Sequence, residues 1–113
     1  LEVDFSGIDF SNREQVLGIA KTLEDTGVSA YNGAGIFLQN PDLLTIAGKI
    51  VSVEARHAAS IRSLVNPGST DFAGDDVVDP MTGLDLATRP ADVLAAVANT
   101  GLVVTELQVM NAS

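Results

Sequence analysis

Glu54 and His57 are the two residues of this sequence whose types and spacing point most directly to chemistry. His57 is the single histidine of the chain, and Glu54 precedes it by three positions within KIVSVEARHAASIRSL, residues 49–64. Residues three apart share one face of an α-helix, so the carboxylate and the imidazole would project side by side. Such a pair can bind a metal ion, or it can be a satisfied core or surface pair.

The surrounding pattern places both residues where a helix would carry its apolar seam. A buried carboxylate needs a cation, a hydrogen-bond network or a metal ion as partner, because an unpaired buried charge is costly. The pattern therefore favours a metal site over a surface pair. The seam advances in steps of four and three through Leu43, Ala47, Ile50, Glu54, His57, Ile61 and Leu64.

Glu24 is the expected third ligand. If a turn near residue 40 joins two antiparallel helices, Glu24 lies sixteen residues before it and Glu54 fourteen after it. The mismatch of two residues corresponds to about 3 Å along the helix axis, so the two carboxylates would be level. A Glu from one helix and a Glu-x-x-His from its neighbour form half of the ligand set of carboxylate-bridged two-metal bundles. Carboxylate oxygens with one nitrogen suit iron or manganese, with zinc as an alternative.

Two long helices are predicted to position these groups. The first spans residues 12–38 and begins at a capping box formed by Ser11 and Glu14. The second spans residues 42–65, with Asn40 as N-cap and Pro41 at its first position. The short connection makes the two helices antiparallel neighbours. The seam expected for the first helix is Val16, Ala20, Leu23, Gly27, Ala30, Ala34 and Phe37.

The rest of the chain is predicted to be less regular. Residues 66–89 form a long acidic loop, residues 90–98 a short helix, and residues 102–109 a tail that is either a strand or an extended arm. The loop's Asp75 to Asp79 run lacks the spacing and the glycine of a calcium-binding loop, so we interpret it as a solvated acidic segment. Residues 1–113 are predicted to form one all-α domain.

Two further side chains near the expected site have open interpretations. Tyr31 lies two turns beyond Glu24 and is either a core or interface tyrosine or a hydrogen-bond partner of the ligands. Arg56 is either a surface charge or the partner of Asp25 or of an acid in the loop.

Composition excludes several classes of function. The 113 residues carry a formal charge of −9, which disfavours nucleic acid and anionic membranes as partners and favours a cation or metal. Cysteine is absent, so thiolate metal sites and cysteine nucleophiles are excluded. No apolar run approaches the roughly 20 residues of a membrane span, so no membrane insertion is expected.

Two segments of this chain resemble the bacterial ferritin-like domain proteins, some of which are labelled desiccation-related. Leu-Glu-Asp-x-Gly-Val-x-Ala-Tyr at residues 23–31 and Val-Glu-Ala-Arg-His-Ala at residues 53–58 carry the resemblance, which extends from about residue 12 to residue 98. It implies a ferritin-like helical hairpin, half of a four-helix bundle, with Glu24, Glu54 and His57 as half of the ligands of a di-iron-type site. Proteins of that group are often exported, which favours the periplasm or beyond, and their activity is mostly unassigned. We expect redox or oxygen and peroxide chemistry if two irons are bound.

The chain departs from that family in one respect. The family's first two helices, with another Glu and another Glu-x-x-His, have no counterpart here. We expect either that this missing N-terminal half lies upstream of Leu1 or that a homodimer brings two hairpins together, giving four Glu and two His. The alternative function is a non-catalytic, stress-protective or structural bundle whose site is empty.

Overall fold

The fold is built from helices alone across the part of the chain that the computed structural model describes, residues 2–105. It contains three α-helices, α1 Arg13–Ala34, α2 Pro41–Val65 and α3 Pro90–Asn99, and two 3-10 turns, Gly35–Phe37 and Asp71–Ala73. No strand occurs in this range, so the predicted all-α class is confirmed. None of the helices in it combines the length and apolarity needed to cross a bilayer.

The start of α1 differs from the predicted capping box. Asn12, not Ser11, is the N-cap, and its side chain accepts a hydrogen bond of 3.1 Å from the backbone N–H of Gln15. Gln15 reaches back and accepts from the N–H of Asp9 at 2.7 Å. The Ser11 hydroxyl donates to Asp9 instead, at 2.6 Å. The box between Ser11 and Glu14 is therefore wrong by one position, because Asp9 engages the Ser11 hydroxyl.

The start of α2 depends on a side-chain cap and a proline. Asn40 Oδ1 accepts from the N–H groups of Asp42 and Leu43 at 2.8 and 3.3 Å, and Pro41 occupies the first turn, where a missing N–H costs nothing. Asp42 adds a negative charge at the positive end of the helix dipole. These features fix where the second helix of the hairpin begins.

α1 and α2 are antiparallel. Near the start of α1, the Arg13 guanidinium donates to the carbonyl of Leu64 at 3.4 Å, close to the end of α2. Beyond the other end of α1, a methyl of Leu44 lies 3.9 Å from the position that a side chain on Gly35 would occupy. Early residues of one helix thus meet late residues of the other, which brings the middle of α1 against the middle of α2.

α1 ends at Ala34, earlier than the predicted residue 38. The last part of the helix packs against the segment that leads into α3. The backbone N–H of Thr88 donates to the carbonyl of Ser29 at 2.9 Å. A Cβ on Gly33 would lie 2.7 Å from the Thr88 carbonyl carbon and closer still to its oxygen. Only glycine permits this approach, so the Gly-rich end of α1 serves packing against the loop.

Gly33→Ala should therefore destabilise the protein, although alanine favours helix. We expect a loss of about 2 kcal/mol in the free energy of unfolding, because the added methyl overlaps backbone that cannot rotate away. Gly18→Ala is the matched control within the same helix. Its Cβ would meet nothing within 4 Å, so it should stabilise by about 0.5–1 kcal/mol. Urea unfolding followed by circular dichroism measures both, and two changes of the same sign would contradict the packing role of Gly33.

The two ends of the described chain meet beside α3. Val3 and Val103 form an isolated antiparallel bridge, and the Asp4 N–H donates to the carbonyl of Leu102 at 2.8 Å. Leu102 is buried. Of the predicted tail of 102–109, Val103 forms this bridge and residue 105 is a bend, and residues 106–109 lie outside the described residues.

The most buried residues of α1 and α2, which we call the buried line, lie on a different face of each helix from the predicted seam. Val28 is 8% exposed whereas Leu23, on the predicted seam of α1, is 38% exposed. On α2 the buried residues are Ala58 and Arg62. Leu43 and Leu64 of the predicted α2 seam are 53% and 50% exposed. They belong to a stripe of apolar side chains at 40–53% exposure that we call the open face: Leu43, Ile46, Val53 and Leu64.

Candidate metal centre

Glu24, Glu54 and His57 come together midway along the hairpin. One ligand atom from each side chain can be chosen so that all three lie within 4.8 Å of one another. His57 Nδ1 is 3.5 Å from Glu24 Oε1. The antiparallel pairing of α1 and α2 sets this arrangement, because it places Glu24 opposite the turn of α2 that carries Glu54 and His57.

The cluster lies at the border between the buried line and the open face. The Glu24 side chain is 24% exposed, and that of His57 is 56% exposed. His57 follows Val53 by four positions and precedes Leu64 by seven, so it shares the stripe of the open face. The carboxylates are thus enclosed by the hairpin, while the imidazole faces away from its buried side.

Glu24 is in an unfavourable state as an isolated carboxylate. Its Oε2 is buried and has no hydrogen-bond partner. The pKa of Glu24 is raised, first because its neutral form can share a proton with Glu54, then because of burial and the repulsion between the two charges. The nearby His57 opposes this shift. Two ionised carboxylates cannot hydrogen-bond to each other, so a proton or a cation is needed between them.

The donor set fits a metal ion as that cation. An ionised carboxylate only accepts, so the orphaned oxygen of Glu24 offers a lone pair that no N–H or O–H of the described residues uses. Carboxylate oxygens and one imidazole nitrogen within 4.8 Å of one another suit iron, manganese or zinc. Gly27, one turn from Glu24, leaves room beside Glu54, whose Oε2 would lie 4.0 Å from a Cβ placed there.

Without metal, Glu24→Gln should stabilise the protein. A glutamine amide can donate to Glu54, which replaces repulsion by a hydrogen bond to a charged group worth about 1 kcal/mol at such a half-buried position. Because the pKa of Glu24 in the folded protein is raised above 4.5, the wild-type chain loses stability as pH rises through that pKa. The gain from Gln should therefore be small at pH 4 and complete at pH 7.

Urea titrations at both pH values, with a chelator present, measure this difference. Glu14→Gln, an exposed acid in the first turn of α1, is the control and should show no such rise with pH. A loss of stability in Glu24→Gln at pH 7 would mean that the metal-free carboxylate makes favourable contacts after all.

The other residues singled out in the sequence do not join the cluster. Arg56 is exposed and donates to Ser52 Oγ at 2.9 Å, which agrees with its interpretation as a surface charge and not with the alternative of pairing with Asp25 or the loop. Tyr31 is half-buried. In the acidic loop, Asp75 is exposed and Asp76 binds an arginine of α2. Within residues 2–105, Glu24, Glu54 and His57 form the one group of acids and histidine close enough to share an ion.

Arg62 is the buried charged residue of the hairpin that the sequence pattern did not reveal. Its side chain is 3% exposed, and all of its N–H groups are directed at acceptors. Nε and Nη2 donate to Asp25 at 2.9 Å each, Nη1 and Nη2 to Asp76 at 3.0 and 2.7 Å, and Nη1 also to the Asp71 carbonyl. This contact, the Arg62 clamp, ties the acidic loop to both helices. The signal in the sequence was that Arg62 follows Ala58 by four positions and so lies on the same face of α2.

Comparison with known proteins identifies the hairpin. The family model described as "Ferritin-like domain" matches residues 1–67, more than half of the chain. The match covers α1, α2 and the three clustered side chains. No curated protein and no solved structure matches the chain. The chain belongs to the ferritin-like domain family.

Proposed function

We propose that this chain is a metal-binding protein of the desiccation-related bacterial type, in which Glu24, Glu54 and His57 supply half of a two-metal site. The observation that carries the proposal is the buried, unpartnered oxygen of Glu24 beside Glu54. One amide in place of either acid would relieve that repulsion, whereas the chain has two acids and an imidazole at one depth. A bound cation accounts for all three residue types.

Each ligand has a distinct role in the proposal. Glu24 and Glu54 would each supply carboxylate oxygens to the metal, and His57 would supply a ring nitrogen. Iron is the metal that the ligand set and the family favour, with manganese or zinc as alternatives. Two irons, when bound, would supply redox or oxygen and peroxide chemistry. The chain's own contribution is to fix the ligands on two rigid helices and to exclude water on the buried side.

The helices that supply the other half of the ligands would pack against the open face. His57 faces that side, and the apolar side chains of the open face remain 40–53% exposed, as expected for a surface that packs against further helices. A second copy would bring four Glu and two His in total, and helices preceding Leu1 would bring an equivalent set. In both cases the like charges of the carboxylates make association depend on metal.

Metal content of the purified protein tests the proposal. After incubation with Fe²⁺ or Mn²⁺ and desalting, elemental analysis should find metal in the wild-type chain. Glu54→Ala and His57→Ala should retain at most about a tenth of that amount, as expected when a ligand or its support is lost. Glu14→Ala, an exposed acid on the same hairpin, should match wild type. Equal metal in all four proteins would leave the structural, stress-protective function as the better account.

A further inference from the structure

A second concave site lies on the opposite side of the hairpin from the open face. It is a cavity of about 440 Å³ between α1 and α2 on one side and the acidic loop and α3 on the other. Glu24, Glu54 and His57 do not line it. Its volume falls in the range of roughly 300–1,000 Å³ typical of small-molecule pockets.

Small side chains keep the cavity open. Five alanines line it, from α2, the loop and α3: Ala55, Ala58, Ala59, Ala73 and Ala96. Protein interiors are otherwise packed to nearly crystalline density, so a void of this size next to buried Ala58 and Val28 is unusual. The other apolar lining residues are valines, a leucine and a phenylalanine, and together with the alanines they favour a ligand with an apolar body.

The polar groups of the cavity are almost all acceptors. The N–H groups of Arg62 are used by Asp25, Asp76 and the Asp71 carbonyl. The hydroxyls of Thr26 and Ser29 donate to carbonyls within α1. An anionic ligand would therefore find no unused N–H on the arginine, and a carboxylate or phosphate would leave its oxygens unsatisfied.

The charge of the lining favours a cation. Asp25 and Asp76 are balanced by Arg62 and Lys21. Asp85, which also lines the cavity, takes part in none of the ion pairs found among residues 2–105. The exposed carboxylate of Asp85 thus remains without an ion-pair partner on the loop side of the cavity.

We propose that this cavity binds a small molecule that has an apolar body and one protonated amine, with the amine directed to Asp85. Apolar contacts with the alanine-lined wall supply affinity, and the amine supplies the donors that the lining lacks. The site is independent of the metal centre, because the two share no residue and open on different sides of α2.

Titration of the full chain with three matched compounds tests the proposal by NMR chemical shifts. We expect saturable binding of 4-phenylbutylamine, weaker binding of 4-phenylbutanol and the weakest binding of 4-phenylbutyrate. Asp85→Asn should weaken the amine roughly fivefold and leave the alcohol unchanged. Asp75→Asn removes an equal charge from the same loop outside the cavity and should change neither.

Substitutions that fill the cavity provide a second test. Ala59→Leu and Ala96→Leu place a larger side chain on opposite walls, and each should weaken the amine about tenfold. Thermal unfolding shows which variants are folded. If Ala59→Leu disturbs the hairpin, Ala96→Leu, which lies in α3, still tests the cavity. Glu54→Ala should bind the amine like wild type even if it loses metal.

Three results would overturn the proposal. They are the absence of saturable amine binding, equal affinity for 4-phenylbutyrate, and amine affinity that a folded Ala96→Leu chain retains in full. None of them depends on metal content, so failure here and failure of the metal site are separate outcomes.

Discussion

Arg62→Ala should lower the free energy of unfolding by about 3 kcal/mol, the largest effect that we expect from a single substitution. The change removes the whole Arg62 clamp and leaves Asp25 with Lys21 as its remaining ion-pair partner. The value lies at the lower end for a broken buried ion pair, because Asp76 is 63% exposed and can regain water. Urea unfolding monitored by circular dichroism measures it.

Two variants separate the geometry of Arg62 from its charge. Arg62→Lys keeps a cation but cannot reach both carboxylates in the paired manner of a guanidinium, so it should fall between alanine and wild type. Arg56→Ala removes an exposed arginine one and a half turns away and should cost less than about 0.5 kcal/mol. Equal stability of Arg62→Ala and Arg56→Ala would contradict the clamp.

The clamp also predicts a dependence on pH. The hydrogen bonds from Arg62 lower the pKa of Asp76 below its ordinary value of 3.8. A lowered folded-state pKa stabilises the protein above about pH 4, and that stability is lost as pH falls through the folded pKa. The acid side of the stability profile should therefore be less steep in Arg62→Ala than in wild type.

Metal should stabilise the wild-type chain, and loss of a ligand should remove that stabilisation. With free Mn²⁺ at 100 times its Kd, linkage gives about 2.7 kcal/mol. We expect His57→Ala and Glu54→Ala to show at most a few tenths of a kcal/mol at the same Mn²⁺ concentration. The wild-type gain should be larger at pH 7 than at pH 5, because metal and proton compete for the carboxylate whose pKa is raised, Glu24.

Matched variants decide whether this effect is specific. Glu14→Gln should keep the full Mn²⁺-dependent gain, because this acid lies in the first turn of α1 and outside the cluster. Glu24→Gln should combine higher metal-free stability with no response to Mn²⁺. An equal response to Mn²⁺ in every variant would indicate diffuse binding to the acidic surface of the chain.

The helices and the proximity of Glu24, Glu54 and His57 were accessible from sequence because both depend on local rules. Asn40 and Pro41 mark the start of α2 through short-range hydrogen bonding, and the i to i+3 spacing puts Glu54 and His57 on one side of it. Counting residues from the turn placed Glu24 at the same level. The structure brings one ligand atom of each side chain within 4.8 Å of the others.

The Arg62 clamp and the buried phase of the hairpin were not accessible in this way. Arg62 and Asp25 are 37 positions apart, and Asp76 belongs to a loop without a periodic pattern. An arginine is expected at the surface unless its partners are known. The apolar pattern therefore predicted that the face of α2 with Leu43 and Leu64 would be buried. Those residues face outward because the loop and α3 cover the other side of the hairpin.

The end of α1 shows the same limit. Glycine in a helix usually weakens it, and the sequence alone does not distinguish a break from a close contact. Here Gly33 remains helical and contacts the backbone at Thr88, while the turn to 3-10 geometry comes two residues later, at Gly35. The partner lies 55 positions away in sequence, so only the folded chain identifies the reason for the glycine.

The most direct test of the metal centre is anomalous X-ray diffraction from crystals of the protein grown with Mn²⁺ or Fe²⁺. We predict an anomalous peak within coordination distance, about 2.0–2.5 Å, of a carboxylate oxygen of Glu24, a carboxylate oxygen of Glu54 and a ring nitrogen of His57. A peak confined to the aspartates of residues 75–79, or well-ordered Glu24, Glu54 and His57 with no peak among them, would contradict it.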